Sequence, residues 1–137
     1  MDFKELYDKA FAVSFESYET KDCEIGSVGC AILTDTGHVY VGKNLDMSCS
    51  LGFCAERNAI STMLTNETAK ILKLACVHKS GTIITPCGAC REFMQQLGDL
   101  CYDMEILVSL EPYKTVMLKD LLPLWWRDEI LKAKKIH

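Results

Sequence analysis

Cys54-Ala55-Glu56-Arg57 and, further along the chain, Pro86-Cys87-Gly88-Ala89-Cys90-Arg91 decide how the rest of this sequence reads. Cys87 and Cys90 are three positions apart, so on the first turn of a helix their side chains face the same way. Cys54 stands where a polar loop gives way to a helical stripe of Ala55, Ala59, Ile60, Met63 and Leu64. Thiols from two helix starts can then converge on one ion. Three cysteine ligands suit Zn²⁺ and leave its fourth tetrahedral position open to water, which is the pattern of a catalytic rather than a structural site.

The flanking residues supply what such a site needs. Glu56, two residues after the first cysteine, is placed to carry protons and must stay off the metal to do so. Three thiolates bring an excess of negative charge, which is poor for acidifying water. Two helix N-termini, each worth about half a positive charge, offset part of it and favour the thiolate form. Arg57 is the first candidate for a neutralising cation and Arg91 the second. These parts fit a hydrolytic deamination, in which water activated by the metal attacks an electron-poor ring carbon and Glu56 ferries the proton to the ring nitrogen and then to the leaving ammonia. Two rivals use the same cysteines. One is a structural zinc closed by a fourth ligand such as His78 or Cys49. The other is a redox pair at Cys87 and Cys90, which leaves Cys54-Ala55-Glu56 unexplained.

Outward from these motifs the chain alternates helix and strand. Residues 2–20 place Phe3, Leu6, Tyr7, Ala10, Val13 and Ser14 at helical intervals, with Asp2 and Glu5 at capping-box spacing. Val28–Leu33 and His38–Val41 flank the turn Thr34-Asp35-Thr36-Gly37 as a hairpin, and the first is apolar enough to be covered on both faces. Residues 42–52 read as a loop. Helices are expected from Cys54 and over 87–97, the second ending at Gly98. Strands are expected over 72–77, 82–85 and 104–110, with short helical segments over 118–123 and 128–135. The pattern predicts a three-layer α-β-α sandwich, with a mixed sheet of about five strands and helices on both faces. No repeat or linker divides it, so residues 1–137 read as a single domain.

Composition narrows the partners. A net charge of −4 and a pI of about 5.3 provide no basic footprint for a polynucleotide. The basic run Lys132, Lys134 and Lys135 reads as a solvated helix end. No apolar segment approaches a membrane span, and Asp2, Lys4, Glu5, Asp8 and Lys9 interrupt anything like a signal peptide. Eight cysteines without such a leader are expected to be reduced thiols in the cytoplasm. Cys23, Cys30, Cys49, Cys76 and Cys101 lack ligand spacing with one another, and most of them read as small buried hydrophobes.

The two motifs in combination resemble the cytidine deaminase family, in particular its small homotetrameric branch with three cysteine ligands. The similarity runs over roughly residues 25–126, taking in Val28-Gly29, Asn44-Leu45-Asp46, Leu51-Gly52 and Leu121-Leu122-Pro123. The resemblance implies zinc on Cys54, Cys87 and Cys90, with Glu56 as the proton shuttle. It implies that the Ala55 backbone N–H holds the pyrimidine 2-oxo group, that Asn44 and Asp46 meet the sugar, and that the strand end at Thr85 and Pro86 meets the amino group. Trp126 falls where the branch carries an aromatic that reaches a neighbour's base, which implies a homotetramer with shared sites acting on a small nucleoside. Asn44 also fits a plain turn residue, and Trp125 and Trp126 fit core or interface anchors. Blasticidin S deaminase shares most of these features, and a zinc-stapled non-catalytic domain is the alternative from another class.

The departures from the family pattern concern the pocket. Its Asn-x-Glu is Asn44-Leu45-Asp46 here, and the Phe-Pro pair that precedes Val-Gly, with a phenyl ring walling the base pocket, is Gly26-Ser27. Arg91-Glu92 replaces the usual Arg-Gln. Loss of the phenyl group is expected to widen the pocket near the base and admit substituents on the exocyclic N4.

Overall fold

Asp2 opens the first helix of the computed structural model, which describes residues 1–128, 130 and 131. Its carboxylate accepts the Glu5 backbone N–H at 2.9 Å, as the spacing predicts. That helix, α1 (Phe3–Ser14), is shorter than expected. Its buried stripe of Phe3, Leu6, Ala10 and Ser14 runs out, and the chain becomes a two-residue strand, β1 (Tyr18–Glu19). Without further apolar contacts another turn of helix has little to hold it.

The hairpin follows as β2 (Cys23–Thr34) and β3 (Val39–Met47), closed by hydrogen bonds between Thr34 and both Gly37 and His38. After it come α2 (Ala55–Asn66), β4 (Ile71–His78), α3 (Gly88–Gln96) and a 3-10 turn at Gly98–Leu100. Then come β5 (Glu105–Leu110), β6 (Tyr113–Met117) and α4 (Leu118–Leu121). The six strands form one mixed sheet. β2 lies between β3 and β4 and is antiparallel to both, β4 runs parallel to β5, and β6 pairs antiparallel at the edge.

Strand alternation sorts the core into two layers. Ala31, Ala75, Val77 and Leu107 face α1, against Leu6 and Ala10. Cys30, Ile32, Leu74 and Cys76 face the other way and pack with Ala59, Ile60 and Met63 of α2 and Cys90 and Met94 of α3. This is the three-layer sandwich expected from the sequence. Two glycines set its spacing. A Cβ at Gly29 would sit 2.0 Å from the Ala10 carbonyl oxygen, and one at Gly42 would sit 2.5 Å from the Ala59 nitrogen. Each helix therefore rests directly on strand backbone.

Three expectations change. Residues 42–47 are strand rather than loop, because β2 extends back to Cys23 and offers partners as far as Met47. Residues 82–85 make one bridge, Val77 with Ile83, and no strand. β6 escaped the sequence reading: it follows Pro112, carries Lys114 and owes its conformation to pairing with β5. Of the helix expected over 128–135, residues 128, 130 and 131 are helical, while 129 and 132–137, with the basic run, lie outside the described residues. No helix among the described residues is long and apolar enough to cross a membrane.

Candidate active site

Both cysteine motifs sit at helix N-caps, as their sequence context predicts. Cys54 is the N-cap of α2 and Cys87 that of α3, each with extended backbone and a side chain free of capping duty. Cys90 lies on the first turn of α3 and is buried. The ligand atoms of Cys54, Glu56, Cys87 and Cys90 all lie within 4.8 Å of one another. Cys54 Sγ and Cys87 Sγ are 3.2 Å apart. Thiolates on a tetrahedral zinc, with Zn–S of ~2.3 Å, stand roughly 3.8 Å apart, so small rotamer adjustments admit the ion. The donors fit a thiophilic metal. His78 and Cys49 are outside this group; His78 Nδ1 bonds instead to Ser80.

Arg57 stands closest to the expected counter-charge. Its Nε is buried with no hydrogen-bond partner among the described residues. Burial disfavours its charge, but a hydrogen bond to Cys54 and the charges of Cys90 and Cys54 outweigh that and raise its pKa. Burial pushes the Cys54 and Cys90 thiols up, whereas at Cys87 the Cys90 backbone N–H and the Cys54 thiol outweigh burial and bring the pKa down. Arg91, the second candidate, is engaged elsewhere. Its Nε donates to the Pro86 carbonyl at 2.7 Å and its Nη1 to the Leu121 carbonyl at 3.1 Å, tying the ligand loop to the C-terminal segment.

A cavity of about 490 Å³ opens beside the donors. Asn44, Asp46, Ala55, Glu56, Arg57 and Thr85 all line it. Ala55 is the first residue of α2, so its N–H has no acceptor within the helix and is available to a ligand. Asn44 Oδ1 accepts the Val28 backbone N–H at 3.1 Å, which turns its amide N–H₂ toward Asp46, 3.4 Å away. Trp126 does not line the cavity of its own chain. With Trp125 it packs on α3, both indoles donating to Glu92. Gly26 and Ser27 do not line it either, so the widening expected from them has no counterpart in the cavity wall.

The sequence reading missed the apolar walls and one buried group. Phe53 and Leu45 exchange backbone hydrogen bonds at 3.0 Å, folding the 48–52 loop back over β3, and Phe53, Met47 and Ile84 line the cavity. Cys76, set aside as a core thiol, donates to Glu56 Oε1 at 2.6 Å. The signal for Cys76 was its parity in β4: it alternates with Ala75 and Val77 toward the face that α2 covers.

Fold and donor set define an α/β metalloenzyme of the zinc-dependent deaminase class. Known proteins agree. A family model for the cytidine and deoxycytidylate deaminase zinc-binding region matches residues 2–104. A cytidine deaminase of Mycobacterium tuberculosis is 35% identical over 98 residues, 71% of this chain and 70% of that one. The crystal structure of cytidine deaminase from that organism superposes with a TM-score of 0.74 at 28% identity, covering 90% of this chain and 96% of the other. The enzyme from Burkholderia pseudomallei gives 0.72 at 28% identity, covering 90% and 98%. The chain belongs to the cytidine and deoxycytidylate deaminase family.

Proposed function

We propose that this protein hydrolyses the exocyclic amino group of free cytosine nucleosides, converting cytidine and deoxycytidine with water to uridine and deoxyuridine and releasing ammonia. The observation that carries this reading is the convergence of Cys54, Cys87, Cys90 and Glu56 donor atoms within 4.8 Å of one another, with Cys54, Glu56 and Cys87 lining one cavity. Cys54, Cys87 and Cys90 are the ligands of Zn²⁺, which when bound supplies the Lewis acidity that makes hydroxide available near neutral pH. Glu56, nearly buried, stays off the metal. It takes one proton from water and delivers it to the ring nitrogen as the carbon–oxygen bond forms, then takes the second from the hydroxyl group so added and passes it to the amine as the carbon–nitrogen bond breaks. Arg57 balances the thiolate charge.

The remaining cavity groups suit the rest of a nucleoside. The Ala55 N–H holds the 2-oxo group. The Thr85 carbonyl meets the amino group, since that of Pro86 is taken by Arg91. Asn44 offers a donor and Asp46 acceptors, which together suit sugar hydroxyls that both give and take a hydrogen bond. The whole of residues 1–137 acts as one domain in the cytoplasm, consistent with cysteines that are all free thiols. It assembles as a homotetramer in which Trp126, half-exposed on its own chain, completes a neighbour's site. Light scattering is then expected at about four times the 15.4 kDa chain mass.

The test is turnover by zinc-loaded protein of cytidine, deoxycytidine, N4-substituted cytidines and blasticidin S, followed by ring absorbance, beside Glu56→Gln. Cytidine turnover that Glu56→Gln lowers by about 1,000-fold or more, with zinc retained, is expected. Near-full activity of Glu56→Gln refutes its role. Blasticidin S turnover alone refutes the substrate assignment, which rests on relatives that are cytidine deaminases.

A further inference from the structure

We propose that Cys76 is a positioning residue for Glu56, its thiol donating to Oε1 so that the other carboxylate oxygen carries the proton. The inference rests on the proton-carrier reading of Glu56. A carboxylate that shuttles protons across a cavity works best with one oxygen held and one free, because any swing of the group lengthens both transfers. Among the described residues, the Cys76 Sγ to Glu56 Oε1 contact of 2.6 Å is the hydrogen bond that anchors this side chain. Cys90 also approaches the carboxylate, but as a metal ligand it is a thiolate with no proton to donate.

Cys76 is itself tightly held. It lies in β4 opposite Cys30 of β2, and its carbonyl accepts the Ile84 N–H at 2.9 Å, so the strand is gripped from both sides. Its Sγ therefore has a defined direction, beneath the first turn of α2 that carries Glu56. Cys30 beside it and burial push its pKa well above the usual thiol range, so it remains a donor. A thiol is also a weak partner. It orients the carboxylate without holding it so firmly that protonation during turnover is opposed. Cys76 neither gains nor loses a proton in the cycle.

Three variants separate donation from packing. Cys76→Val keeps the approximate volume and removes the donor, Cys76→Ala removes both, and Cys76→Ser keeps a donor on a shorter bond that still reaches about 3 Å. We expect Val and Ala to lower kcat about 10-fold, with KM within about twofold and zinc content unchanged, and Ser to recover most of the loss. Infrared spectroscopy reads the bond without turnover. In the wild type minus Cys76→Val difference spectrum the S–H stretch is expected below that of a free thiol, and to move up when Glu56→Gln removes the acceptor's charge. Wild-type kcat in Cys76→Val overturns the proposal, as do equal losses in Val and Ser, which would mark a packing role, and an unshifted S–H band. Inactive Glu56→Gln with a fully active Cys76→Val defeats this inference alone, whereas an active Glu56→Gln defeats the proton-carrier reading beneath it.

Discussion

Gly42→Ala changes a residue outside the cavity and tests whether the sandwich sets the geometry of the site. The added Cβ would lie 2.5 Å from the Ala59 nitrogen and 2.9 Å from the Asn58 carbonyl carbon, both backbone atoms of α2 that no rotamer change can move away. Ordinary contact begins at 3.4 Å, so α2 must withdraw from β3 by roughly 1 Å. Overpacking of this kind costs about 1–3 kcal/mol, which lowers a urea midpoint by about 1 M. The same displacement moves Cys54 and Glu56, at the start of α2, relative to Cys87 and Cys90 on α3. Misplacement of a reacting group by about 1 Å costs on the order of 100-fold in rate. Urea unfolding and kcat for cytidine measure the two effects. The control is Gly88→Ala, which meets nothing within 4 Å on α3 and is expected to leave the midpoint unchanged or slightly higher. An unaltered midpoint in Gly42→Ala refutes the close-packing argument. A lowered midpoint with wild-type kcat refutes the step from α2 to the site.

Two further perturbations probe elements away from the metal donors. Glu67, which follows α2, accepts hydrogen bonds from Tyr40, His38 and Thr36, and these bring its pKa from the usual 4.5 down to about 2. A folded-state value below the unfolded one stabilises the fold above the unfolded pKa and is lost as pH falls toward the folded one. The stability difference between wild type and Glu67→Gln should therefore be full above about pH 4.5 and shrink toward pH 2; a difference independent of pH across that window contradicts the assignment. Glu92 accepts both indole N–H groups, and the chain's two tryptophans are both in this cluster. Glu92→Ala is expected to shift tryptophan emission to the red and increase acrylamide quenching with far-ultraviolet circular dichroism unchanged, whereas wild-type fluorescence would show that Glu92 does not hold the pair.

What the sequence reveals of this protein follows from where the causes lie. Cys54 and Cys87 could be placed at helix starts because a cysteine before an apolar stripe, or just after a proline, leaves a local signature. The layer order was legible because Leu6 and Ala10, or Ala59 and Met63, repeat at helical spacing whatever they pack against. β3 beyond Val41 was not, since Gly42, Asn44 and Asp46 are poor strand formers that extend only because β2 runs alongside them. Cys76 was hidden for a similar reason. Its thiol is chemically idle in an apolar strand until the fold places Glu56 over it, and that meeting depends on the packing of α2 against β4's neighbours rather than on local pattern.

Gly26 and Ser27 show how a departure from the family pattern acts at a distance from where it was expected. Both have positive φ, +99° and +98°, and the pairing of β2 with β3 slips between Ile25 and Gly29. A side chain at Gly26 has no room, because its Cβ would meet the Glu16 carbonyl oxygen at 2.5 Å. A phenyl group could not be restored there without moving the segment after α1. The bulge draws the Val28 N–H out of the β2–β3 ladder, and Asn44 Oδ1 takes it at 3.1 Å. That bond fixes which end of the Asn44 amide faces Asp46. The missing aromatic therefore acts on the Asn44 and Asp46 side of the cavity, by orienting Asn44, while Phe53 and Ile84 supply apolar wall.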